Sequence, residues 1–401
     1  MATRRDFVLA TAFGAVVPWR SRLARRAAQR PWIPTDGFLA GMPRLMELAS
    51  VPGAAVAVLD GGEVVWRRAF GVANADTGAK VEIESVFPAA SLGKPVFGAV
   101  VLELVEDGLL DLDRPLVEYL RPDDLADDPR LERIAARHVL SHTTGLPNWR
   151  PRATGTKLTT GFEPGERFQY SGEGFFWLQR AVETVTGRGV DRVMRDRLFG
   201  PAGMARATYA WSEDHQRWTV FGHGSRGDLA EQFNRRMSDP LLEHAKTIGK
   251  PMTEWTATDT FAAMERAAPS LPRQPNFAVP NVAGSLVCTV GEYARFVSLM
   301  MARRSGPSHG LSEASRTAML TPRVELNRVL SWGLGWGLET GDAARYCWHW
   351  GDNGIFKAFV VADPEAGRGI VVFTNGSSGP KLYQRIVADA TGLDLAAFLW
   401  V

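Results

Sequence analysis

The chain has 401 residues, of which 45% are hydrophobic and 22% charged, and its formal net charge is +2. Seven arginines and one acid stand within residues 1–30, so the positive charge belongs to this leader, and the remainder has no basic surplus that would indicate a nucleic-acid partner. The composition is typical of a soluble globular protein, and the length predicts two lobes or domains.

The leader, residues 1–30, has the features of an export signal. Arg4 and Arg5 precede the apolar run 7–17, an arrangement that looks like a twin-arginine signal. The run is shorter than the about 20 residues of a membrane-spanning helix. We therefore expect a periplasmic or secreted protein with no stable membrane span in the mature chain. A disordered basic tail is the alternative, since no clear small-residue cleavage triplet follows.

The hydrophobic pattern predicts a helix over 36–49, followed by strands over 54–59 and 63–70 with a tight turn between them. Further helices are predicted, in chain order, over 131–140, 174–186, 190–198, 292–302 and 382–390, with loops and short helices over 210–275. Strands are predicted over 332–338, 345–350, 356–362 and 369–374.

Predicted strands thus cluster at both chain ends and helices in the middle. The simplest architecture is an α/β (α+β) fold, in which one antiparallel sheet is built from both chain ends and covered by helices. We expect residues 31–115 and 285–401 to form this sheet domain. Residues 116–284 would then form a mainly helical inserted lobe.

A Ser-x-x-Lys motif, Ser91 to Lys94, opens the apolar helical stretch of residues 89–108. A serine and a lysine three residues apart share one helical face, so the amine can reach the hydroxyl. This pair of groups is typical of a serine acyl-transfer enzyme whose base is not histidine. The alternative is a non-catalytic role, in which the serine caps the helix and the lysine is solvated. The motif is also not specific, since the same spacing occurs at Ser378 and Lys381.

Two further motifs follow in order, Tyr170-Ser171-Gly172 and His349-Trp350-Gly351, together with the stretch His138–Pro147. With the Ser91 motif they resemble the serine β-lactamase and penicillin-binding-protein superfamily. The most similar branch contains class C β-lactamases, D-alanyl-D-alanine carboxypeptidases and family VIII carboxylesterases. The resemblance spans about residues 54–375 and implies a β-lactamase/transpeptidase-like fold.

The resemblance implies a role for each motif. Ser91 would be the acylated nucleophile, and Lys94 would be its base or proton relay. Tyr170 would be a second general base that also protonates the leaving group. His349 stands where relatives carry lysine or histidine, and the backbone N–H groups of Ser91 and Asp352 would form the oxyanion hole. Whether Lys94 or Tyr170 is the base stays open.

The chain also departs from the family pattern. Relatives commonly carry asparagine at the position of Gly172 and a second glycine at that of Ile355. His349 is largely neutral at pH 7 by its ordinary pKa, so it attracts a substrate carboxylate less than lysine would. These changes favour an ester or a small amide over a carboxylated β-lactam. The expected substrate pocket consists of Gly172, Trp149, Trp350, Gly351 and Ile355, and Trp332 is a further candidate for its lining.

We therefore expect an exported serine hydrolase that cleaves an ester or amide, acting as an esterase or a D-amino-acid peptidase. The alternatives are a class C-like β-lactamase and a non-hydrolytic β-lactam-binding sensor. If neutral His349 assists, activity should fall below about pH 6. No cofactor and no metal are expected, because His138 and His142 lack a third ligand. The expected partner is a small-molecule substrate; the oligomeric state stays open.

Overall fold

A computed structural model describes residues 30–151, 156–230, 233–268, 278–301, 311–341 and 344–401. The predicted leader therefore lies outside the described residues, except for Arg30. Within the described ranges, no helix is both long and apolar enough to cross a membrane.

The main structural element is an eight-stranded antiparallel sheet with the strand order β2-β1-β10-β9-β8-β7-β6-β5. Strands β3 and β4 pair separately. The strands are β1 (Gly53–Asp60), β2 (Glu63–Gly71), β3 (Phe87–Ala90), β4 (Leu286–Cys288), β5 (Val324–Glu325), β6 (Leu330–Trp332), β7 (Gly337–Thr340), β8 (Arg345–Asp352), β9 (Lys357–Asp363) and β10 (Arg368–Thr374). Because β1 from the amino-terminal part pairs with β10, the sheet joins the two chain ends, as predicted.

Among the described residues between β3 and β5, most of the regular secondary structure is helical. The helices are α1 (Asp36–Ala49), α2 (Gly93–Glu106), α3 (Ala136–Leu140), α4 (Gly172–Thr186), α5 (Val190–Met194), α6 (Glu213–Trp218), α7 (Phe233–Ile248), α8 (Ala257–Ala267), α9 (Val290–Leu299), α10 (Glu313–Met319), α11 (Gly379–Thr391) and α12 (Ala397–Trp400). The predicted mixed α/β fold is confirmed, whereas the division into a sheet domain and an inserted lobe stays a prediction.

The alternation of side chains along β1 explains why helices cover both faces of the sheet. Ala55, Ala57 and Leu59 pack into one hydrophobic core. Val56 and Val58 pack into the other core. Since successive side chains of a strand point to opposite faces, an uninterrupted apolar run requires cover on both sides.

Helix α2 carries the Ser-x-x-Lys motif at its start and is buried along most of its length. Val96, Val100 and Leu104, the residues of the predicted apolar face, are fully buried. The helix ends before Gly108, whose φ of +71° is the left-handed conformation that glycine adopts without steric cost. This end of the helix agrees with the prediction.

Two predicted elements are divided in the structure. The helix predicted over 131–140 is interrupted because Ile134 is extended and its carbonyl accepts a hydrogen bond from the Leu116 N–H. The strand predicted over 332–338 is split into β6 and β7. Between them Gly335 has a φ of +86°, and a turn closes from the Gly333 N–H to the Trp336 carbonyl.

One other prediction also needs correction. The stretch 210–275 contains the sixteen-residue helix α7, which the sequence did not indicate because its overall composition is polar, like that of a loop. In the second Ser-x-x-Lys pair, Ser378 lies in a turn directly before α11, and Lys381 lies within the first turn of that helix. Proline close to the start of a helix is well tolerated because its missing N–H has no partner there anyway.

Candidate active site

Ser91 lies in a tight connection between β3 and α2. The preceding residue, Ala90, has a φ of +53°, which is unusual for a residue with a Cβ and stores backbone strain. The strained turn leaves Ser91 partly exposed while its neighbours are buried. Within the described part of the chain, the Ser91 N–H donates no hydrogen bond.

The Lys94 amine reaches the Ser91 hydroxyl, as the three-residue spacing predicts. Nζ donates hydrogen bonds to Ser91 Oγ at 2.9 Å and to the Ala283 carbonyl oxygen at 2.6 Å. The side chain is buried, and this burial holds the pKa of Lys94 well below its usual range. A neutral amine beside a serine hydroxyl can accept its proton.

Ala283 is a site residue that the sequence did not reveal. Its carbonyl oxygen accepts the Lys94 bond and lies 3.4 Å from Ser91 Oγ. The turn that presents it is held by the Asn281 side chain, which accepts from the Ala283 N–H, and by the Gln179 side chain, which accepts from the Val282 N–H. A backbone carbonyl has no residue-type signature, so only the turn-forming asparagine could have indicated this segment.

Tyr170 lies directly before α4, and its ring centroid is 4.7 Å from Lys94 Nζ. Its hydroxyl is buried and makes no hydrogen bond of regular geometry to a described residue. Burial raises the pKa of Tyr170, an effect that the nearby Ser91 side chain offsets only in part. The phenol is therefore protonated at neutral pH, and its oxygen is available to a substrate.

His349 lies on β8, as predicted, and is fully buried. Its Nδ1 is 2.7 Å from the Trp350 carbonyl oxygen, so Nδ1 carries the proton, and Nε2 is an unpartnered acceptor. Burial and, second, Lys94 lower the pKa of His349 to about 3. His349 is thus neutral well below pH 6, and the expected loss of activity from its protonation moves to more acidic pH.

The end of β8 packs closely against β3, the strand that directly precedes Ser91. A Cβ on Gly351 would lie 2.3 Å from the carbonyl oxygen of Ala89, so only glycine permits this contact. The contact brings the Asp352 backbone toward Ser91, while the exposed Asp352 carboxylate pairs with Lys357 at 2.5 Å.

Some of the expected pocket residues lie beside Tyr170 or Gly172, whereas others pack elsewhere. Trp350 packs on Tyr170 with ring centroids 4.9 Å apart, and Trp149 lies against Gly172. Ile355 instead packs against Gly222, where a Cβ would come within 2.3 Å of Ile355 Cδ1. Trp332 is fully buried, so it belongs to the core behind Tyr170 and does not line a pocket.

The other side chains that could carry chemistry are possible metal ligands and the two cysteines. Within the described ranges, no group of three His, Cys, Asp or Glu side chains has an arrangement that could hold a metal ion. Cys288 and Cys347 are both free and buried.

Comparison with known proteins places this geometry in a family. The family model described as Beta-lactamase matches residues 42–391, which is most of the chain. Penicillin-binding protein 4 of Amycolatopsis lactamdurans is 26% identical over 365 residues, covering 85% of each chain. Esterase EstB of Burkholderia gladioli is 26% identical over 367 residues, covering 82% of this chain and 88% of the esterase.

A solved structure has the same fold. The D-alanine carboxypeptidase AmpC of Burkholderia cenocepacia superposes with a TM-score of 0.66 at 16% identity, covering 89% of this chain and 98% of the carboxypeptidase. The chain therefore belongs to the beta-lactamase family, and this membership confirms the expectation of a serine hydrolase.

Proposed function

We propose that the chain hydrolyses an ester or a small amide through an acyl-enzyme formed on Ser91. The observation that carries the proposal is the 2.9 Å contact between Ser91 Oγ and the Nζ of a buried Lys94. A serine hydroxyl is a poor nucleophile until a neighbouring base takes its proton, and a lysine becomes such a base when burial lowers its pKa.

The opposite pKa shifts of two neighbours support Lys94 as the base and Tyr170 as the acid. Burial lowers the pKa of Lys94 and raises that of Tyr170, so both side chains favour their neutral forms. In acylation Ser91 Oγ bonds to the substrate carbonyl carbon, and its proton passes to the Lys94 amine. The Tyr170 hydroxyl then gives its proton to the departing oxygen or nitrogen, and the resulting phenolate recovers a proton from the Lys94 ammonium. Water hydrolyses the acyl-enzyme through the same two groups.

The negative charge that develops on the substrate oxygen needs hydrogen-bond donors. We assign this role to the backbone N–H groups of Ser91 and Asp352. The close contact of Gly351 with Ala89 supports the assignment, because it places the end of β8 beside the nucleophile. Donors of this kind contribute about 3–4 kcal/mol each in comparable sites.

The surroundings of Gly172 support an ester or a small amide as substrate. Position 172 offers no side-chain amide to bind a peptide-like group, and the Trp149 ring occupies the space beside it. The similarity to esterase EstB supports the same choice, whereas the similarity to penicillin-binding protein 4 keeps a D-amino-acid peptide, a β-lactamase and a β-lactam sensor as alternatives. Export to the periplasm or medium through the arginine-rich leader is part of the proposal.

A hydrolysis screen tests the proposal. The purified chain is given p-nitrophenyl esters, nitrocefin and a D-Ala-D-Ala peptide, beside the variants Ser91→Ala and Ser378→Ala. We expect ester turnover that Ser91→Ala abolishes and Ser378→Ala retains, because Ser378 only precedes helix α11. Nitrocefin turnover without ester turnover would instead identify a β-lactamase. Persistent acylation by penicillin in mass spectrometry would identify a sensor, and activity retained in Ser91→Ala would disprove the mechanism.

A further inference from the structure

We infer that His142 is a positioning residue that holds the Tyr170 ring in place for proton transfer, an inference that rests on the proposed role of Tyr170. His142 lies two residues after α3, and the sequence indicated it only as a possible metal ligand. The inference follows from three separate contacts between His142 and the segment that carries the tyrosine.

Two of these contacts are hydrogen bonds that flank Tyr170. The N–H of Gln169 donates to the His142 carbonyl oxygen at 2.7 Å. The N–H of Ser171 donates to His142 Nδ1 at 3.0 Å. The backbone immediately before and immediately after the tyrosine is therefore bound to the same histidine. This fixes the position of the Tyr170 Cα relative to helix α3.

The third contact fixes the ring itself. The His142 and Tyr170 rings are stacked with their centroids 4.1 Å apart and an interplanar angle of 24°. Lys94 Nζ lies 4.7 Å from the centroid of the same tyrosine ring. Because the Tyr170 hydroxyl makes no hydrogen bond of regular geometry in the described structure, ring packing contributes strongly to where this oxygen points beside Ser91.

The histidine is held firmly enough to act as a support. Its ring is completely buried and packs against Phe168, Phe175 and Trp332. Since Nδ1 accepts a hydrogen bond, the ring proton is on Nε2 and the ring is neutral. Burial, with Lys94 and His349 nearby, lowers the pKa of His142 and so preserves this state. Its φ of +56° is strained for a residue with a Cβ, which indicates a conformation fixed by its surroundings.

The chain offers a matched control in His138. This histidine, within α3, also accepts a backbone N–H at Nδ1, from Ala135 at 3.1 Å, and it is partly buried. It has no ring contact with Tyr170. His138→Asn therefore reports the general effect of removing a hydrogen-bonded histidine ring from this segment without removing the contact with Tyr170.

The test compares His142→Ala, His142→Asn and His138→Asn in steady-state hydrolysis of a p-nitrophenyl ester. The Oδ1 of asparagine takes the place of Nδ1, and asparagine tolerates a positive φ, so His142→Asn loses mainly the stacked ring. We expect kcat to fall about tenfold to a hundredfold in His142→Ala, with KM within about threefold, because small misplacements of a reacting group cost about this much. His142→Asn should recover part of kcat, and His138→Asn should keep the wild-type kcat.

Thermal unfolding and labelling of Ser91 by a fluorophosphonate accompany the kinetics. If His142→Ala does not fold, a selective fall of kcat in His142→Asn relative to His138→Asn still supports the inference. A wild-type kcat in the folded His142 variants, or equal losses in His142→Asn and His138→Asn, overturns it. Failure of the proposed function would give a different result. In that case the Ser91→Ala variant would hydrolyse the ester as fast as wild type.

Discussion

Lys94 donates a 2.6 Å hydrogen bond to the backbone carbonyl of Ala283, and among the described residues it has no carboxylate partner. A carbonyl dipole orients the amine but stabilises its charge less than a carboxylate would. This environment leaves the lysine able to lose its proton, whereas a salt bridge would keep it charged.

The first prediction concerns this amine. Lys94→Met keeps an unbranched side chain of similar length and removes the base. It should lower kcat for ester hydrolysis about 10²–10⁴-fold, the usual contribution of a general base. The matched control is Lys381→Met, which changes the exposed lysine of the second Ser-x-x-Lys pair and should have wild-type kinetics. A Lys94→Met enzyme within threefold of wild type would show that another group is the base.

The sequence predicted the parts of this site that depend on residue type and spacing. A serine and a lysine three residues apart on a helix must share a face, so their contact followed from α-helix geometry. The contact of Lys94 with the Ala283 carbonyl could not be predicted, because a backbone group 189 residues away in the sequence has no local pattern. The stacking of His142 on Tyr170 was missed because tertiary packing brings together two side chains that no local spacing pattern connects.

The fold was predictable to a similar degree. Apolar runs identified strands and helices, since burial on both faces leaves a clear pattern in β1 and α2. The split between β6 and β7 was missed because it depends on one glycine with positive φ within an otherwise apolar stretch. Helix α7 was missed because its polar composition resembles that of a loop.

The second prediction concerns the tyrosine hydroxyl. Tyr170→Phe should lower kcat about 10²–10⁴-fold, because it removes the proton donor to the leaving group. Its stability should stay equal to wild type or rise, because a buried hydroxyl without a partner costs free energy in the folded state. Urea unfolding and ester hydrolysis measure the two effects on the same sample. A clear loss of stability would show that the hydroxyl has a structural partner.

The third prediction concerns the pH dependence of stability. The pKa of His349 is about 3 in the folded state and about 6.5 in the unfolded state. Between these values the unfolded chain binds a proton that the folded chain does not, so His349 lowers stability as the pH falls. The effect is about 1.4 kcal/mol per pH unit.

The measurement for this third prediction is a comparison of wild type with His349→Asn by urea unfolding at pH 7, 6 and 5. Wild type should lose more stability on acidification than the variant, by about 2 kcal/mol between pH 7 and 5. The comparison is needed because Glu183, whose pKa burial raises to about 7, contributes in the opposite direction in both proteins. Parallel pH profiles would mean that the folded protein protonates His349 as readily as the unfolded chain.

The fourth prediction concerns the contact between Gly172 and Trp149. A Cβ at position 172 would lie 2.5–2.8 Å from three atoms of the Trp149 ring, which is closer than packing allows. Gly172→Ala should therefore destabilise the fold by about 1–3 kcal/mol. In a Trp149→Ala background the same substitution should cost at least about 1 kcal/mol less, because neighbours in contact are energetically coupled. Unfolding of the four proteins of this double-mutant cycle measures the coupling.

The matched control is Gly41→Ala, at a helical glycine with open space around it. This variant should gain up to about 1 kcal/mol of stability. Additive effects of the Gly172 and Trp149 substitutions would mean that the tryptophan moves aside freely, and would remove the steric reason for glycine at position 172.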